Sequence, residues 1–277
     1  MSATAMQIWH RKDARLAVGF FVLLAAFWLF LNASSRAGDA LMYSFSSTYP
    51  LLALAGGVVG LLAARRWGSL GSALSRTLLF FSVGLLLQFF GQVAYTVSIL
   101  VLHTAIPYPS LGDIGYFGSA VVYLIACFQL LRAVGFRTTN MKLGLWACAL
   151  IVPCTILLFT YFFFLRNYFV DWSTPIKTLL DFGYPIVQAG YVAIALVGLA
   201  VSQRIRGGAL RGALLFLLAA LVFQYICDVM FLVQATQGTW QAGNLNDFMY
   251  FVSYLLMTLA LISLDTSLLR IRQRNEA

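Results

Sequence analysis

Charge is scarce in this chain. Only 10% of its 277 residues are Asp, Glu, Lys or Arg, while 61% are hydrophobic. A soluble domain of this size cannot place that much apolar side chain inside, and the excess would have to face water. Histidine is limited to His10 and His103, which argues against a histidine-built metal centre. The four cysteines, Cys127, Cys148, Cys154 and Cys227, all fall inside apolar runs. They read as small buried hydrophobes rather than as a disulfide framework or a metal site. Also missing are a glycine-rich phosphate loop, a zinc motif and a nucleophile–base arrangement, and no lysine in the middle of the last apolar run offers a retinal Schiff base. No catalytic residue, metal or cofactor is therefore expected.

What is abundant is apolar sequence in long runs. Eight segments, 15–32, 44–64, 76–101, 112–134, 143–165, 178–202, 212–236 and 246–267, each approach the ~20 residues a helix needs to cross ~30 Å of hydrocarbon. With short loops they use nearly the whole chain. The expected fold is all-α, a polytopic membrane bundle of eight transmembrane helices forming one integral membrane domain over 1–277. The first segment follows Arg11, Lys12 and Arg15 and precedes the small residues around Ser34, so a cleaved signal peptide is its alternative reading.

The basic residues are not spread evenly. Arg11, Lys12 and Arg15; Arg65, Arg66 and Arg76; Arg132, Arg137 and Lys142; Arg204, Arg206 and Arg211; and Arg270, Arg272 and Arg274 fall on one side of the bilayer, against Arg36, Arg166 and Lys177 on the other. A net charge of +9 in a soluble protein would point to nucleic acid. Here the positive-inside rule reads it as topology, with no nucleic-acid partner and with both termini in the cytoplasm of a bacterial inner membrane.

A repeat underlies the spans. The even-numbered ones begin with Ser46-x-x-Tyr49-Pro50, Asp113-x-x-Tyr116, Asp181-x-x-Tyr184-Pro185 and Asp247-x-x-Tyr250, and the tyrosines lie 67, 68 and 66 residues apart. At an offset of 136, Gly71, Ala73, Leu74, Leu78, Leu79 and Phe80 recur as Gly207, Ala209, Leu210, Leu214, Leu215 and Phe216. Gln88-Phe89-x-x-Gln92 likewise matches Gln224-Tyr225-x-x-Asp228. The expectation is two similar four-helix halves, about 1–138 and 139–277, built of helical hairpins and related by an axis along the membrane normal; its alternative is that leucine-rich helices align by composition alone.

Polar residues inside the spans mark the candidate site. Asp228 lies well within span seven, where an ionisable group costs several kcal/mol unless paired, hydrated or neutralised. Gln224 is one turn earlier on its face, and Gln88, Gln92 and Tyr95 form the corresponding face of span three. Span six carries a one-sided stripe of Asp181, Tyr184, Gln188 and Tyr191. These residues are candidate ligand contacts near the outer leaflet. The competing reading is interhelical glue, with Gln92 and Asp228 bonded across the duplicated interface. Asp113, Tyr116, Asp247 and Tyr250 sit at outer helix starts. Ser110-x-x-Asp113, Thr178-x-x-Asp181 and Asn244-x-x-Asp247 have the spacing of helix caps, with tyrosines in an interfacial belt. If the acids converge they form an acidic vestibule favouring cations or amines. Tyr184-Pro185 is a place where the backbone can loosen, and Gly56-x-x-x-Gly60 reads as close helix packing. Asp265, near the inner end of span eight, is expected to pair with arginines.

The stretch PYPSLGDIGYF at 107–117 resembles the Pro-Ser-x-x-Asp-x-x-Tyr element in the multi-span N-terminal regions of bacterial sensor proteins, some diguanylate cyclases and sensor histidine kinases among them. The likeness continues through GQVAYT at 91–96, LDFGYP at 180–185 and NLNDFMYFVSYLLMTLALISL at 244–264. Carried over, it implies Pro109, Ser110, Asp113, Asp181, Tyr184, Asp228 and Asp247 as the residues of interest. In that family an output domain follows the last span, whereas here SLLRIRQRNEA follows. The resemblance therefore implies a stand-alone sensory or regulatory module that senses a small polar ligand and signals through a separate cytoplasmic or membrane partner. A transporter or channel for a small polar or cationic solute is the second expectation, and a membrane assembly subunit the third.

Overall fold

The computed structural model describes residues 9–34, 40–68, 70–103, 108–136, 143–166, 168, 170, 172–205 and 210–276. Of the positions named above, Arg36, Pro107, Arg137, Lys142, Arg206, Gly207 and Ala209 lie outside the described residues.

Among the described residues the regular structure is helical. The helices are α1 (Lys12–Ala33), α2 (Ala40–Thr48), α3 (Leu51–Arg66), α4 (Ala73–Leu100), α5 (Leu111–Ala133), α6 (Leu143–Thr160), α7 (Pro175–Ile205), α8 (Arg211–Gln237) and α9 (Leu245–Glu276). Helices α2 and α3 together form the second span, interrupted at Tyr49-Pro50, where proline supplies no backbone N–H. Helix α6 continues into a π-turn at Tyr161–Leu165. Helix α7 runs unbroken through Pro185, so the expected loosening there does not end the helix. The ends of the helices follow local chemistry. Ser72 accepts from the Ser75 N–H at the start of α4, Ser110 and Asp113 form a reciprocal capping box at the start of α5, and α8 stops at Gly238, whose φ of 65° is left-handed.

Eight helical units are long and apolar enough to cross a bilayer, and their exposure requires one. Leu16 and Leu23 on α1 are 74% and 75% exposed, and Leu150 and Ile151 on α6 are 64% and 62% exposed. Water would not tolerate such faces, whereas lipid is their natural solvent. The protein is a multi-pass helical membrane protein. Cys127 and Cys227 are buried as expected, but Cys148 and Cys154 are exposed on α6. They sit on a peripheral helix whose outward face meets lipid, a distinction that hydropathy alone does not draw.

Six spans close into a ring. Helix α3 packs on α4, α4 on α5, α5 on α7, α7 on α8, α8 on α9, and α9 back on α3. Helix α1 leans on α9, α3 and α2 from outside, and α6 leans on α7, with its π-turn against α8. The order of neighbours repeats after half a turn of the ring. Glycines let the helices approach at the seams: a Cβ on Gly115 would come 2.5 Å from the Leu87 carbonyl, and one on Gly56 would collide with the Thr258 hydroxyl. The core inside the ring holds Leu78, Phe81, Leu85, Tyr123, Leu130, Tyr191, Leu221 and Leu261, all fully buried or nearly so. We call the end where α5, α7 and α9 begin the upper end.

Candidate functional site

Each half of the ring builds the same polar seam. Between α4 and α5, the Gln88 amide donates to the Ser119 hydroxyl (2.5 Å), and the Tyr116 hydroxyl donates to Gln92. Between α8 and α9, the Ser253 hydroxyl donates to Gln224 (3.1 Å), and the Tyr250 hydroxyl donates to Asp228 (2.5 Å). Gln88 and Gln92 are the positions aligned above with Gln224 and Asp228, and Tyr116 and Tyr250 stand at corresponding span starts. Tyr254 of α9 joins the seams by donating to the Gln88 carbonyl across the ring (3.0 Å).

Where the first seam has Gln92, the second has an acid. Asp228 receives hydrogen bonds from Tyr250, from Gln224 (3.2 Å to each carboxylate oxygen) and from Gln188 on α7. All three donors are neutral. Buried charge normally demands an opposite charge as well as hydrogen bonds, and among the described residues only the hydrogen bonds are supplied. Asp228 and Gln92 do not bond to each other. Gln92 turns instead to Tyr116 and the Ser46 carbonyl, and Asp228 to Tyr250. The whole α7 stripe, Asp181, Tyr184, Gln188 and Tyr191, is buried, as its one-sided spacing predicts.

The acids at the helix starts take three different roles. Asp113 accepts from the Ser110 backbone and hydroxyl at 2.7 and 3.0 Å and from the Tyr184 hydroxyl of α7 at 3.4 Å. Asp247 accepts from the Gly243 N–H at 2.7 Å and from the Ser46 hydroxyl of α2 at 2.6 Å, while Asn244 accepts from the Asn246 and Asp247 amides. Both are caps that also hold a neighbouring helix. Asp181 is not a cap, because α7 begins earlier, at Pro175, and Thr178 lies within it. Asp181 instead binds the Lys177 ammonium at 2.8 Å and the Tyr108 and Tyr168 hydroxyls at 2.7 and 2.5 Å. Burial, and after it the Asp181 charge, pushes the Tyr108 phenol above its ordinary range, and burial raises Tyr168 too, so both remain donors.

Two spaces flank this chemistry. A cleft of about 1230 Å³ opens at the upper end, lined by Tyr108, Phe162, Arg166, Lys177, Phe231 and Trp240 among others. The three acids expected to form an open vestibule do not line it, since each is buried in its own hydrogen bonds. Below lies a small, narrow pocket walled by Gln92, Tyr95, Tyr116, Tyr184, Asp228, Asp247 and Tyr250. Its free space of about 10 Å³ admits roughly one water. Phe231 and Trp240 line both spaces and form the partition. Their rings stand 6.3 Å apart, and each lies within 6.2 Å of the Tyr95 ring. Phe231, Trp240, Tyr108 and Tyr168 were not singled out from sequence. Trp240 had a legible signal, an aromatic residue in a short turn between Gly238 and Gly243, outside any span.

At the opposite end, Asp265 of α9 accepts from Arg11 at 2.9 Å, from Arg66 at 2.7 Å and from the Trp67 indole at 2.9 Å, as its expected arginine pairing requires. Arg11 also grips Asp13, chiefly for which its guanidinium is held even more firmly protonated than usual.

Comparison of the chain with protein-family models, with curated proteins and with solved structures gives no match.

Proposed function

We propose that this chain is a sensory module of a bacterial inner membrane, with both termini in the cytoplasm and its upper end facing outward. A small polar ligand enters through the cleft, engages the Asp228 pocket and changes the setting of α9, and a separate signalling partner reads that change. The observation that carries this reading is the dead end beneath the pocket. The polar layer meets the cleft through one aromatic partition, and below it the ring is filled by Phe81, Tyr123, Leu130, Tyr191 and Leu221. A site that is reached from one side and sealed on the other suits detection better than passage. Helix α9 supplies the transmission line: Tyr250 and Asp265 stand on one continuous helix, about 22 Å apart at 1.5 Å per residue. The resemblance of Ser110, Asp113, Asp181, Tyr184, Asp228 and Asp247 to the membrane regions of bacterial sensors supports the same reading.

Transport is the second reading, favoured by the two equivalent half-rings, which a duplication would produce and which parallel-repeat transporters also have. Native mass spectrometry of gently extracted protein tests the site itself. A small molecule that accompanies the wild type and is lost from Asp228→Asn supports a ligand site, whereas identical spectra with no small molecule count against it. Flux of the identified molecule into liposomes would then move the assignment from sensor to transporter.

A further inference from the structure

We infer that the Asp228 pocket is built for a small organic ammonium ion, an inference that rests on the proposal that this pocket is a ligand site. Two buried carboxylates, Asp228 and Asp247, contribute to its wall, and no Lys, Arg or His is among its described lining residues. Most of the other lining is aromatic: Tyr95, Tyr116, Tyr184 and Tyr250, with Phe231 and Trp240 at the cleft side, and Gln92 and Leu232 complete it. A carboxylate inside a box of ring faces is the arrangement that recognises ammonium groups, because the rings present their negative faces and the acid supplies the counter-charge.

Two further observations point the same way. The Tyr95 hydroxyl is buried without a hydrogen-bond partner, and so is the Gln188 side-chain carbonyl oxygen, whose amide nitrogen is spent on Asp228. Of the two, Tyr95 lines the pocket, and an ammonium donating to its hydroxyl oxygen and to Asp228 would satisfy the one and neutralise the other. The protein also holds one tethered ammonium in just this chemistry. Lys177 sits 2.8 Å from Asp181, with the Tyr108 and Tyr168 rings at 5.7 and 5.0 Å. The inner pocket repeats these components without a lysine.

Occupancy requires the partition to move, since the pocket as it stands has room for little more than a water. Trp240 is carried by the turn between Gly238 and Gly243, whose φ angles are 65° and 77°. Withdrawal of the indole toward the cleft joins the two spaces.

The ammonium group has two possible sources, a free amine or the head group of a membrane lipid, and the test separates them. The full chain is reconstituted in phosphatidylglycerol nanodiscs, and binding of ethanolamine and of choline is measured by calorimetry beside dimethylbutanol, the uncharged carbon isostere of choline. The expected result is saturable binding of the ammonium compounds, at least about tenfold tighter than the isostere, weakened about tenfold by Asp228→Asn and several-fold by Trp240→Leu. Suppression of that binding by phosphatidylethanolamine in the disc assigns the site to a lipid head group, and its persistence assigns it to a free amine. Equal binding of the isostere, or no binding of either ammonium compound in either disc, overturns the inference. Trp240→Leu and the isostere comparison keep the test decisive if Asp228→Asn fails to fold. Spin labels at the lower end of α9 separate the two proposals. Ammonium binding without movement of α9 removes the sensor reading alone, while movement caused by the isostere but not by ammonium removes the ammonium inference alone.

Discussion

Replacement of Gly115 by alanine should damage the protein far more than the same change three residues on. Gly115 faces α4, where an added Cβ would lie 2.5 Å from the Leu87 carbonyl oxygen, 2.6 Å from the Gly91 nitrogen and 2.8 Å from the Gly91 Cα. These are backbone atoms, so no side chain can swing aside. Comfortable contact needs about 3.5 Å, and the helices must part locally by on the order of 1 Å. Overpacking of this kind costs about 1–3 kcal/mol, partly offset by the roughly 1 kcal/mol by which alanine exceeds glycine in helix propensity. Gly118 lies on the same helix, but a Cβ there meets only a Leu87 methyl at 3.7 Å, so Gly118→Ala should be neutral or slightly stabilising. In nanodiscs the thermal midpoint of Gly115→Ala should fall by on the order of 5 °C while that of Gly118→Ala does not. Gly115 neighbours Tyr116, whose hydroxyl reaches Gln92 across that seam, so ligand binding should weaken in Gly115→Ala as well. Midpoints within about 1 °C of each other for the two variants would refute the reasoning, because close backbone approach would then not be what holds α4 to α5.

Three other outcomes follow from particular contacts. Asp265→Asn leaves Arg11 and Arg66 without their shared acid and should cost about 1–3 kcal/mol in a melting experiment, less than a fully buried pair because the Arg66 side chain is half exposed. Ser110→Ala removes the capping box of α5 and should cost about 1 kcal/mol, with Ser110→Thr restoring most of it; equal midpoints for all three proteins would show that the cap contributes nothing. The proposed topology, with both termini cytoplasmic, predicts that Gln241→Cys reacts with an impermeant maleimide in intact cells and Gln273→Cys only after permeabilisation; the reverse pattern would invert the proposed topology.

Much of the architecture was legible because the bilayer imposes a simple rule on sequence. Each run long enough to span hydrocarbon became a helix, since a backbone in lipid must satisfy its own hydrogen bonds. The seam chemistry was legible too. The polar positions Gln88, Gln92, Gln224 and Asp228 all prove buried and hydrogen-bonded across helix seams, and the capping spacings at Ser110 and Asn244 hold. Span-level reasoning erred where direction around a helix mattered. Cys148 and Cys154 share their hydropathy with Cys127, but only the packing of α6 outside the ring exposes them. Thr178 has the spacing of a cap, but the α7 backbone had already begun at Pro175.

By itself the sequence determined eight apolar helices and the few polar groups that the interior must accommodate, because length and hydropathy are properties of the chain alone. Only the tertiary structure decided that six of the spans close into a ring and that Asp228 is met by three neutral donors. It also decided that Lys177 neutralises Asp181 and that Trp240 and Phe231 lie between a cleft and a small, largely aromatic pocket. Those facts depend on which faces of distant helices meet. In lipid that is settled by the close fit of glycine-lined backbones and the pairing of buried polar groups, not by any pattern read along one segment.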